Sequence, residues 1–278
     1  MPTLAEKGLS FRALHQRDHA FIIPNPWDVG SARILAHLGF AALATTSMGY
    51  AFSIGRRDGQ ISRDEALAHS AEIAGATDLP VSADLENCFA DDPKGAAETI
   101  RLAGQTGLAG GSIEDYSGHP NGRLYELEHA VDRVRAAVEA ARALPFTFTL
   151  TARAENFIRG RLDIKDTIRR LQAYQEAGAD VLYAPGLTTK DDIAAVVRSV
   201  DRPVNVVMGL SGVQLSLAEL SAMGVKRISV GSALSRTALG AFIRACQEMR
   251  DHGTFTFAKD AANPREIGAM FDARVDKH

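Results

Sequence analysis

Eight short apolar runs alternate with segments of helical periodicity along the 278 residues of this chain. The runs lie at residues 21–23, 40–44, 80–83, 109–113, 146–150, 181–183, 204–207 and 227–230. Helical segments follow at 62–76, 93–103, 126–143, 164–177, 191–200, 215–223 and 234–249, and a first one begins after Asp28. Short continuous apolar runs are typical of buried parallel strands, which need helical crossovers between them. The alternation therefore predicts an α/β fold of eight β-then-α units.

Eight such units in succession favour closure into a (β/α)8 TIM barrel. The competing fold is an open doubly wound sheet, which normally has fewer strands and a glycine-rich first turn. Residues 24–27 read Pro-Asn-Pro-Trp, which is not a turn of that kind. We therefore expect a single barrel domain over residues 1–278, with residues 253–278 as a C-terminal appendage that contains a short helix at 264–270.

Charge and composition exclude several classes of function. The formal net charge of -3 gives no electrostatic reason to expect binding to nucleic acid or to an anionic membrane. Two cysteines cannot make a disulfide framework, and no apolar stretch reaches the roughly 18 residues that a membrane span needs. The first residues lack the basic and apolar regions of a signal peptide. We therefore expect a cytoplasmic enzyme that acts on a small molecule.

Acidic residues follow two neighbouring apolar runs at the point where each run ends. Asp84 and Glu86 follow the third run, and Glu114 and Asp115 follow the fourth. The C-terminal ends of barrel strands meet on one face, so these carboxylates would repel one another there. A hard divalent cation such as Mg²⁺ relieves that repulsion and prefers oxygen ligands. A single strand-end acid is usually a helix cap, but three acids on adjacent strands, with Asp58 in a nearby loop, favour a metal site.

Other polar residues at strand ends are candidates for substrate binding, and each has a structural alternative. Arg153 follows the fifth run and would either bind a substrate carboxylate or pair with Glu155 or Glu114. Thr46 and Ser47 would form a turn, or their backbone N–H groups would hold a developing oxyanion. The remaining candidates are Trp27, which follows the first run, and Asn205, which lies within the seventh.

Five motifs in this chain resemble the isocitrate lyase / phosphoenolpyruvate mutase superfamily. They are Asn-Pro-Trp-Asp-Val-Gly-Ser-Ala-Arg at 25–33, Gly-Arg-Arg-Asp at 55–58, Asp-Leu-Glu at 84–86, Ser-Ile-Glu-Asp at 112–115 and Thr-Ala-Arg-Ala-Glu-Asn-Phe at 151–157. The motifs occur in the order that the superfamily has, and the resemblance runs from about residue 20 to residue 245.

The resemblance implies a Mg²⁺-dependent barrel enzyme that acts on 2-oxo or 2-hydroxy acids, with Mn²⁺ as a substitute ion. It also implies a homo-oligomer in which dimers exchange the eighth helix and pair into tetramers. The residues that it implies for the metal are Asp84, Glu86 and Glu114, partly through water, with Asp58 nearby. For the oxygens of the oxo acid it implies Thr46, Ser47 and Met48, and for the carboxylate Arg153.

The loop after the fourth run departs from the pattern of the superfamily. Its lyases carry a Lys-Lys/Arg-Cys-Gly-His loop there, whereas residues 114–122 read Glu-Asp-Tyr-Ser-Gly-His-Pro-Asn-Gly. The phosphonate mutases and hydrolases place a lysine and an asparagine in a longer gating loop, and this loop is short and has no lysine. Oxaloacetate decarboxylation is the activity of the superfamily that demands least of this loop.

The chemistry of 2-oxo acids also favours decarboxylation. A 2-oxo acid can chelate Mg²⁺, which lets a bond at C3 break with its electrons entering an enolate. Loss of CO₂ needs that electron sink and no initiating base, whereas retro-aldol cleavage needs a base to remove a hydroxyl proton. Tyr116, His119 and Glu155 are the candidate groups for protonating the enolate, although His119 would equally be a solvated loop residue.

Three functions therefore remain open at the level of sequence. The first is a Mg²⁺-dependent decarboxylase or other C–C lyase that produces a pyruvate-like enolate. The second is a C–P enzyme of the phosphonopyruvate hydrolase or phosphoenolpyruvate phosphonomutase type, which would need two or more cationic donors for the phosphonate. Near the loop the sequence offers His119 and Arg123. The third is a non-catalytic barrel that binds a metabolite.

Overall fold

Eight parallel strands form one sheet in a computed structural model that describes residues 2–118, 122–210, 212 and 214–272. The strands are β1 (Phe21–Ile23), β2 (Leu43–Ala44), β3 (Val81–Ala83), β4 (Gly110–Glu114), β5 (Thr149–Arg153), β6 (Val181–Tyr183), β7 (Val204–Val207) and β8 (Arg227–Ser229). Their order in the sheet is β1-β8-β7-β6-β5-β4-β3-β2. Each strand therefore lies beside its neighbour in sequence, and β8 returns to pair with β1.

The gap between β1 and β2 is bridged by single hydrogen bonds. The Ala44 N–H donates to the Pro24 carbonyl at 3.1 Å, and Asn25 Nδ2 donates to the Thr45 carbonyl at 3.0 Å. The sheet is thus a nearly closed barrel with helices between its strands. The predicted (β/α)8 TIM barrel is confirmed.

Helices lie before the first strand and after each of the eight strands along the chain. They are α1 (Leu4–Leu14), α2 (Val29–His37), α3 (Ser47–Ser53), α4 (Arg63–Gly75), α5 (Pro93–Ala103), α6 (Leu127–Arg142), α7 (Ile164–Glu176), α8 (Lys190–Arg198), α9 (Leu217–Ala222) and α10 (Ala233–His252). A 3₁₀ helix (Thr256–Asp260) and α11 (Pro264–Phe271) follow. Most of them begin with a side-chain cap. At the start of α4 the Ser62 hydroxyl accepts from Glu65 N, and the Glu65 carboxylate accepts from Ser62 N.

Several elements differ from the prediction, among them β2, which begins at Leu43 rather than at residue 40. β5 begins at Thr149 rather than at residue 146, because its pairing with β4 runs from Gly110 opposite Thr149 to Glu114 opposite Arg153. Phe148 is buried just before the strand, in the core between strands and helices. The helices α1 and α3 were not predicted, and α1 carries only two large apolar residues on its buried face, Phe11 and Leu14, which is too weak a periodicity to detect.

The helix α10 has almost no packing surface within its own chain. Of its 20 residues only Ser235 is buried, whereas Phe242 is 65% exposed and Ile243 is 51% exposed. The following α11 returns to pack against α2. The division of the chain into a barrel and an appendage at residue 253 stays a prediction. No helix in the described ranges combines the length and apolar character needed to cross a membrane.

Candidate active site

A cavity of about 260 Å³ opens at the C-terminal ends of the strands. Nine of the side chains proposed from the sequence line it, namely Thr46, Ser47, Met48, Asp58, Asp84, Glu114, Arg153, Glu155 and Asn205. They come from the C-terminal ends of β2 to β5, from the first turn of α3, from the middle of β7 and from the loop after α3. The barrel therefore brings together residues that are up to about 160 positions apart in the sequence, which is the usual way in which this fold builds a site.

Arg153, the last residue of β5, lies among three carboxylates. Its Nη1 atom is 3.0 Å from Asp84 Oδ1 and 2.9 Å from Glu114 Oε1, and its Nε atom is 2.9 Å from Glu155 Oε1. Burial alone would lower the pKa of Arg153, but the three carboxylates outweigh it and raise that pKa well above its usual value. Arg153 therefore stays charged, and it is the counter-ion of the acidic side chains around it.

Glu86 carries a carboxylate that the protein leaves incompletely satisfied. Its Oε1 atom is buried without a hydrogen-bond partner, and its φ of 49° is unusual for a residue with a side chain. Burial, and then the charges of Asp84 and Asp58, raise the pKa of Glu86 to about 7. Burial and Asp84 likewise raise the pKa of Asp58. These three acids therefore lie within electrostatic range of one another.

The donor set fits a hard divalent cation. It consists of carboxylate oxygens, one of them buried and unpartnered, and their mutual repulsion is what a cation would remove. Within the described ranges, no three His, Cys, Asp or Glu side chains are arranged as direct metal ligands. Arg153 lies between Asp84 and Glu114, and Glu86 lines a neighbouring cavity. The metal site at Asp84, Glu86 and Glu114 stays a prediction.

Ser47 connects the start of α3 to the acids. Its hydroxyl donates to Asp84 Oδ2 at 3.0 Å and its N–H donates to the same oxygen at 3.3 Å. Thr46 caps α3 by accepting from Gly49 N, and the Met48 sulfur accepts from the Ser232 hydroxyl at 3.1 Å. The predicted role of the 46–47 backbone in holding an oxyanion would therefore require Asp84 to release the Ser47 N–H.

Besides Glu86, two of the described residues that were proposed for the site, Trp27 and Tyr116, do not line this cavity. Trp27 directly precedes Asp28, the cap of α2, and its carbonyl accepts from His69 Nε2 at 3.0 Å. Its role in substrate binding stays a prediction. Tyr116 also lies outside the lining, with its ring centroid 3.9 Å from the Arg159 guanidinium. His119 lies outside the described residues.

Asp115 points away from the acids that precede it. It is buried and accepts from Tyr174 Oη at 2.6 Å, from Arg170 Nη1 at 3.0 Å and from Glu155 N at 2.8 Å. Neighbouring side chains on a strand face opposite sides, so Glu114 enters the barrel and Asp115 enters the layer between β5 and α7. The acidic pair in the sequence therefore splits into one site residue and one structural residue.

Several polar residues of the cavity were not predicted from the sequence, and four of them bear on the chemistry of the site. Arg159 lies 3.5 Å from Glu114 Oε2 and 3.4 Å from Glu155 Oε2, and Tyr183 ends β6 with its ring 5.0 Å from the Arg153 guanidinium. Ser229 and Arg227 line the cavity from β8. Tyr183 resembles a core aromatic in the sequence, and Arg227 begins its strand rather than ending it. Only the inward direction of each side chain distinguishes them.

The fold and this cavity define a class of protein, a (β/α)8 barrel with an acidic, arginine-containing site at the C-terminal ends of its strands. The chain belongs to the phosphoenolpyruvate phosphomutase family, whose model matches residues 11–250. The predicted membership of the isocitrate lyase / phosphoenolpyruvate mutase superfamily is confirmed, and members of that superfamily are C–C lyases or mutases.

Known relatives agree with this assignment. A candidate lyase/mutase from Burkholderia cenocepacia J2315 has a TM-score of 0.94 to this chain and 61% identity, over 97% of each chain. An uncharacterised protein of Mycobacterium tuberculosis (strain ATCC 25618 / H37Rv) is 33% identical, over 87% of this chain and 90% of its own. The oxaloacetate decarboxylase of Chromohalobacter salexigens is 29% identical, over 87% of this chain and 84% of its own.

Proposed function

We propose that this protein is a Mg²⁺-dependent lyase that cleaves a C–C bond of a small 2-oxo or 2-hydroxy dicarboxylic acid, such as oxaloacetate, and produces an enolate. The observation that carries the proposal is the meeting of Arg153 with Asp84 and Glu114 in the cavity, beside the unsatisfied carboxylate of Glu86. The similarity to an oxaloacetate decarboxylase supports the choice of substrate.

In the proposed complex the acids that now contact Arg153 would bind the ion, and Arg153 would bind the substrate. Asp84, Glu86 and Glu114, with Asp58 beside them, are the residues that would hold Mg²⁺ or Mn²⁺. When bound, the ion supplies Lewis-acid polarisation of the 2-oxo carbonyl. Neutralised acids attract Arg153 less strongly, so its guanidinium becomes available for the carboxylate of the substrate.

Decarboxylation suits the groups that the cavity offers. Retro-aldol cleavage needs a base beside the substrate hydroxyl. Glu155 Oε1 accepts from Arg153, and Tyr116 lies outside the lining. Among the described residues, the two side chains that the sequence suggested as proton-transfer groups are thus committed elsewhere. Loss of CO₂ requires no such base.

A C–P enzyme remains the second candidate because of Arg159. This residue lines the cavity, and its side chain is 39% exposed, so it adds a cation that was not counted from the sequence. Arg153 and Arg159 together would meet the requirement of a phosphonate for two cationic donors. We rank this function second, since Arg159 contacts Glu114 and Glu155.

A substrate panel tests the proposal. Oxaloacetate, 2-methylisocitrate, 2,3-dimethylmalate and phosphonopyruvate are each supplied with Mg²⁺, with Mn²⁺ and with EDTA, and pyruvate release is followed. We expect oxaloacetate to turn over fastest and EDTA to abolish turnover. Phosphonopyruvate reacting about tenfold faster than oxaloacetate, a difference of about 1.4 kcal/mol in the barrier, would reverse the ranking. Absence of thermal stabilisation by Mg²⁺ with oxalate would favour a non-catalytic barrel.

We also propose that two chains exchange α10 and that the dimers pair into tetramers. Support comes from α10 itself, in which 20 residues contain a single buried side chain, Ser235. A helix that exposes Phe242 and Ile243 to this degree gains stability by packing against another chain. Exchange between identical chains is a low-cost route to such a dimer.

A further inference from the structure

We infer that Tyr183 is the residue that delivers a proton to the enolate product, an inference that rests on the proposed function. Tyr183 is the last residue of β6 and lines the cavity. Its ring lies beside Arg153, with the guanidinium carbon 5.0 Å from the ring centroid. A substrate whose carboxylate is bound by Arg153 would therefore have the phenol within its immediate surroundings.

A chain of hydrogen bonds leads to this phenol from the floor of the cavity. Arg227 is 6% exposed, and its Nε atom donates to Asn205 Oδ1 at 2.8 Å. Asn205 Nδ2 donates in turn to the Ser229 hydroxyl at 3.0 Å. Arg227 can only donate, so it determines which end of the Asn205 amide points at Ser229.

The direction of these bonds orients the tyrosine proton. The Ser229 oxygen accepts from Asn205, so the hydroxyl proton of Ser229 is left to be donated. Ser229 also interacts with the Tyr183 phenol through a side-chain hydrogen bond that lowers its pKa, as a donor to the phenol oxygen does. A phenol oxygen that accepts from Ser229 keeps its own O–H free to donate, and in the inferred role that proton points towards the cavity that Tyr183 lines.

The protonation state of Tyr183 is consistent with its role as a proton donor. Burial, opposed in part by the charge of Arg153, raises the pKa of Tyr183 to about 12. Tyr183 is therefore a phenol at neutral pH and serves as an acid, not as a base. Arg227 keeps its charge, since burial lowers its pKa only to about 10. In the described part of the chain no carboxylate pairs with Arg227, so the floor of the cavity is electropositive and favours an anionic product above it.

In the proposed reaction, loss of CO₂ is followed by transfer of the Tyr183 proton to carbon. Cleavage of the C3–carboxylate bond of oxaloacetate releases CO₂ and leaves its electron pair in the enolate of pyruvate. The C3 carbon of the enolate then takes the Tyr183 proton: the C3–H bond forms, the O–H bond breaks, and the phenol keeps the O–H electron pair as phenolate. Water returns a proton to the phenolate before the next turnover, so one solvent proton is consumed for each pyruvate formed.

The experiment compares the wild-type protein, Tyr183→Phe and the control Tyr50→Phe. Tyr50 is a half-buried tyrosine that stacks on His69, with a ring-centroid distance of 3.9 Å, and it does not line the cavity. Oxaloacetate stereospecifically deuterated at C3 is generated in situ from labelled malate, decarboxylated with Mg²⁺ in tritiated water, and the configuration of the pyruvate methyl group is determined. The affinity for oxalate with Mg²⁺ is measured in parallel.

We expect the wild-type protein and Tyr50→Phe to form pyruvate with one methyl configuration. Tyr183→Phe should lose about tenfold to a hundredfold in kcat and give a racemic methyl group, because solvent protonates the released enolate from either face. Its affinity for oxalate should change by less than about threefold, since the phenol acts on the product.

Two results would overturn the inference in different ways. A stereospecific product from Tyr183→Phe, made at the wild-type rate, would remove Tyr183 from the reaction and leave the proposed function intact. A wild-type protein that consumes none of the 2-oxo acids in the panel would remove the proposed function and this inference together. A parallel loss of oxalate affinity in Tyr183→Phe would make the residue a binding group, which also contradicts the inference.

Discussion

Arg153 determines the electrostatic state of the candidate site at the scale of single residues. It forms ion pairs with Asp84, Glu114 and Glu155 in the structure, and the same guanidinium is the predicted ligand of the substrate carboxylate. A buried ion pair is costly to break from one side, because the remaining charges lose their partner without regaining water.

Arg153→Ala should therefore lose more activity than any other single substitution at the site. Truncation of one partner of a buried charge pair typically costs 2–5 kcal/mol, so kcat/KM for oxaloacetate should fall by at least about 30-fold. Steady-state kinetics measure the loss. The matched control is Arg101→Ala, because Arg101 pairs with Glu98 on the surface, where such pairs contribute little. Equal kinetics for the two variants would contradict the proposed role of Arg153.

His15 gives the barrel floor a dependence on pH. It lies between Phe11 and Phe21 with its Nδ1 atom 2.8 Å from the Phe11 carbonyl, and Arg227 is the charged group that faces it. Burial and the charge of Arg227 lower the pKa of His15 from 6.5 to about 3. Between pH 6.5 and pH 3, His15 is therefore protonated in the unfolded chain and neutral in the folded chain. The free energy of unfolding falls as the pH drops below about 6.5.

We expect the free energy of unfolding to fall by about 2 kcal/mol from this group between pH 7 and pH 5. Urea unfolding at the two pH values measures the change, and His15→Asn should reduce it by about that amount. His37→Asn serves as the control, since His37 lies in the last turn of α2. An unchanged pH dependence in His15→Asn would show that His15 is not the group responsible.

At the scale of elements, α10 differs from the helices that pack against the barrel in how few of its residues are buried within its own chain. The helix α5 buries Ala96, Thr99, Ile100 and Ala103 against the barrel, whereas α10 is almost twice as long and buries only Ser235. Helices in proteins gain most of their stability from packing of an apolar face. A long helix without that packing in its own chain indicates a contact with another chain.

Phe242→Glu should therefore weaken assembly. A buried charge at the centre of a helix–helix contact costs several kcal/mol, so the main species should shift from tetramer or dimer towards monomer. Sedimentation velocity over a range of protein concentrations measures the shift. Leu9→Glu provides the control, because Leu9 is also about half exposed but lies on α1. An unaltered distribution of species for Phe242→Glu would exclude α10 from the interface.

At the scale of the whole molecule, an ion that joins acids from separate strands should stabilise the entire barrel. A ligand at about 100 times its Kd adds about 2.7 kcal/mol to the free energy of unfolding, which for a domain of this size raises Tm by about 5 °C. We expect this shift with Mg²⁺ and oxalate together. Asp84→Ala should fold and show no shift, whereas the surface variant Asp132→Ala should retain it. A shift that persists in Asp84→Ala would place the ion elsewhere.

Local order along the chain was sufficient to predict the architecture. The alternation of apolar runs and helical segments predicted all eight strands and their parallel order, since each run is a buried strand whose chemistry differs from the amphipathic helix after it. It failed at α1 and α3, where few large apolar residues mark the buried face. It also placed β5 three residues early, because Phe148 is buried before the strand begins.

For the candidate site, strand ends, acidic composition and the family resemblance together predicted nine of the cavity residues, but not which way each side chain faces. Direction decides the difference between Glu114 in the cavity and Asp115 in the layer behind it, and it brings Tyr183 and Arg227 into the site. The amino-acid sequence by itself determined the eight β-then-α units and their acidic strand ends, because both are local patterns. Only the tertiary structure decided which charges meet, because inward direction and the spacing between strands arise when the barrel closes.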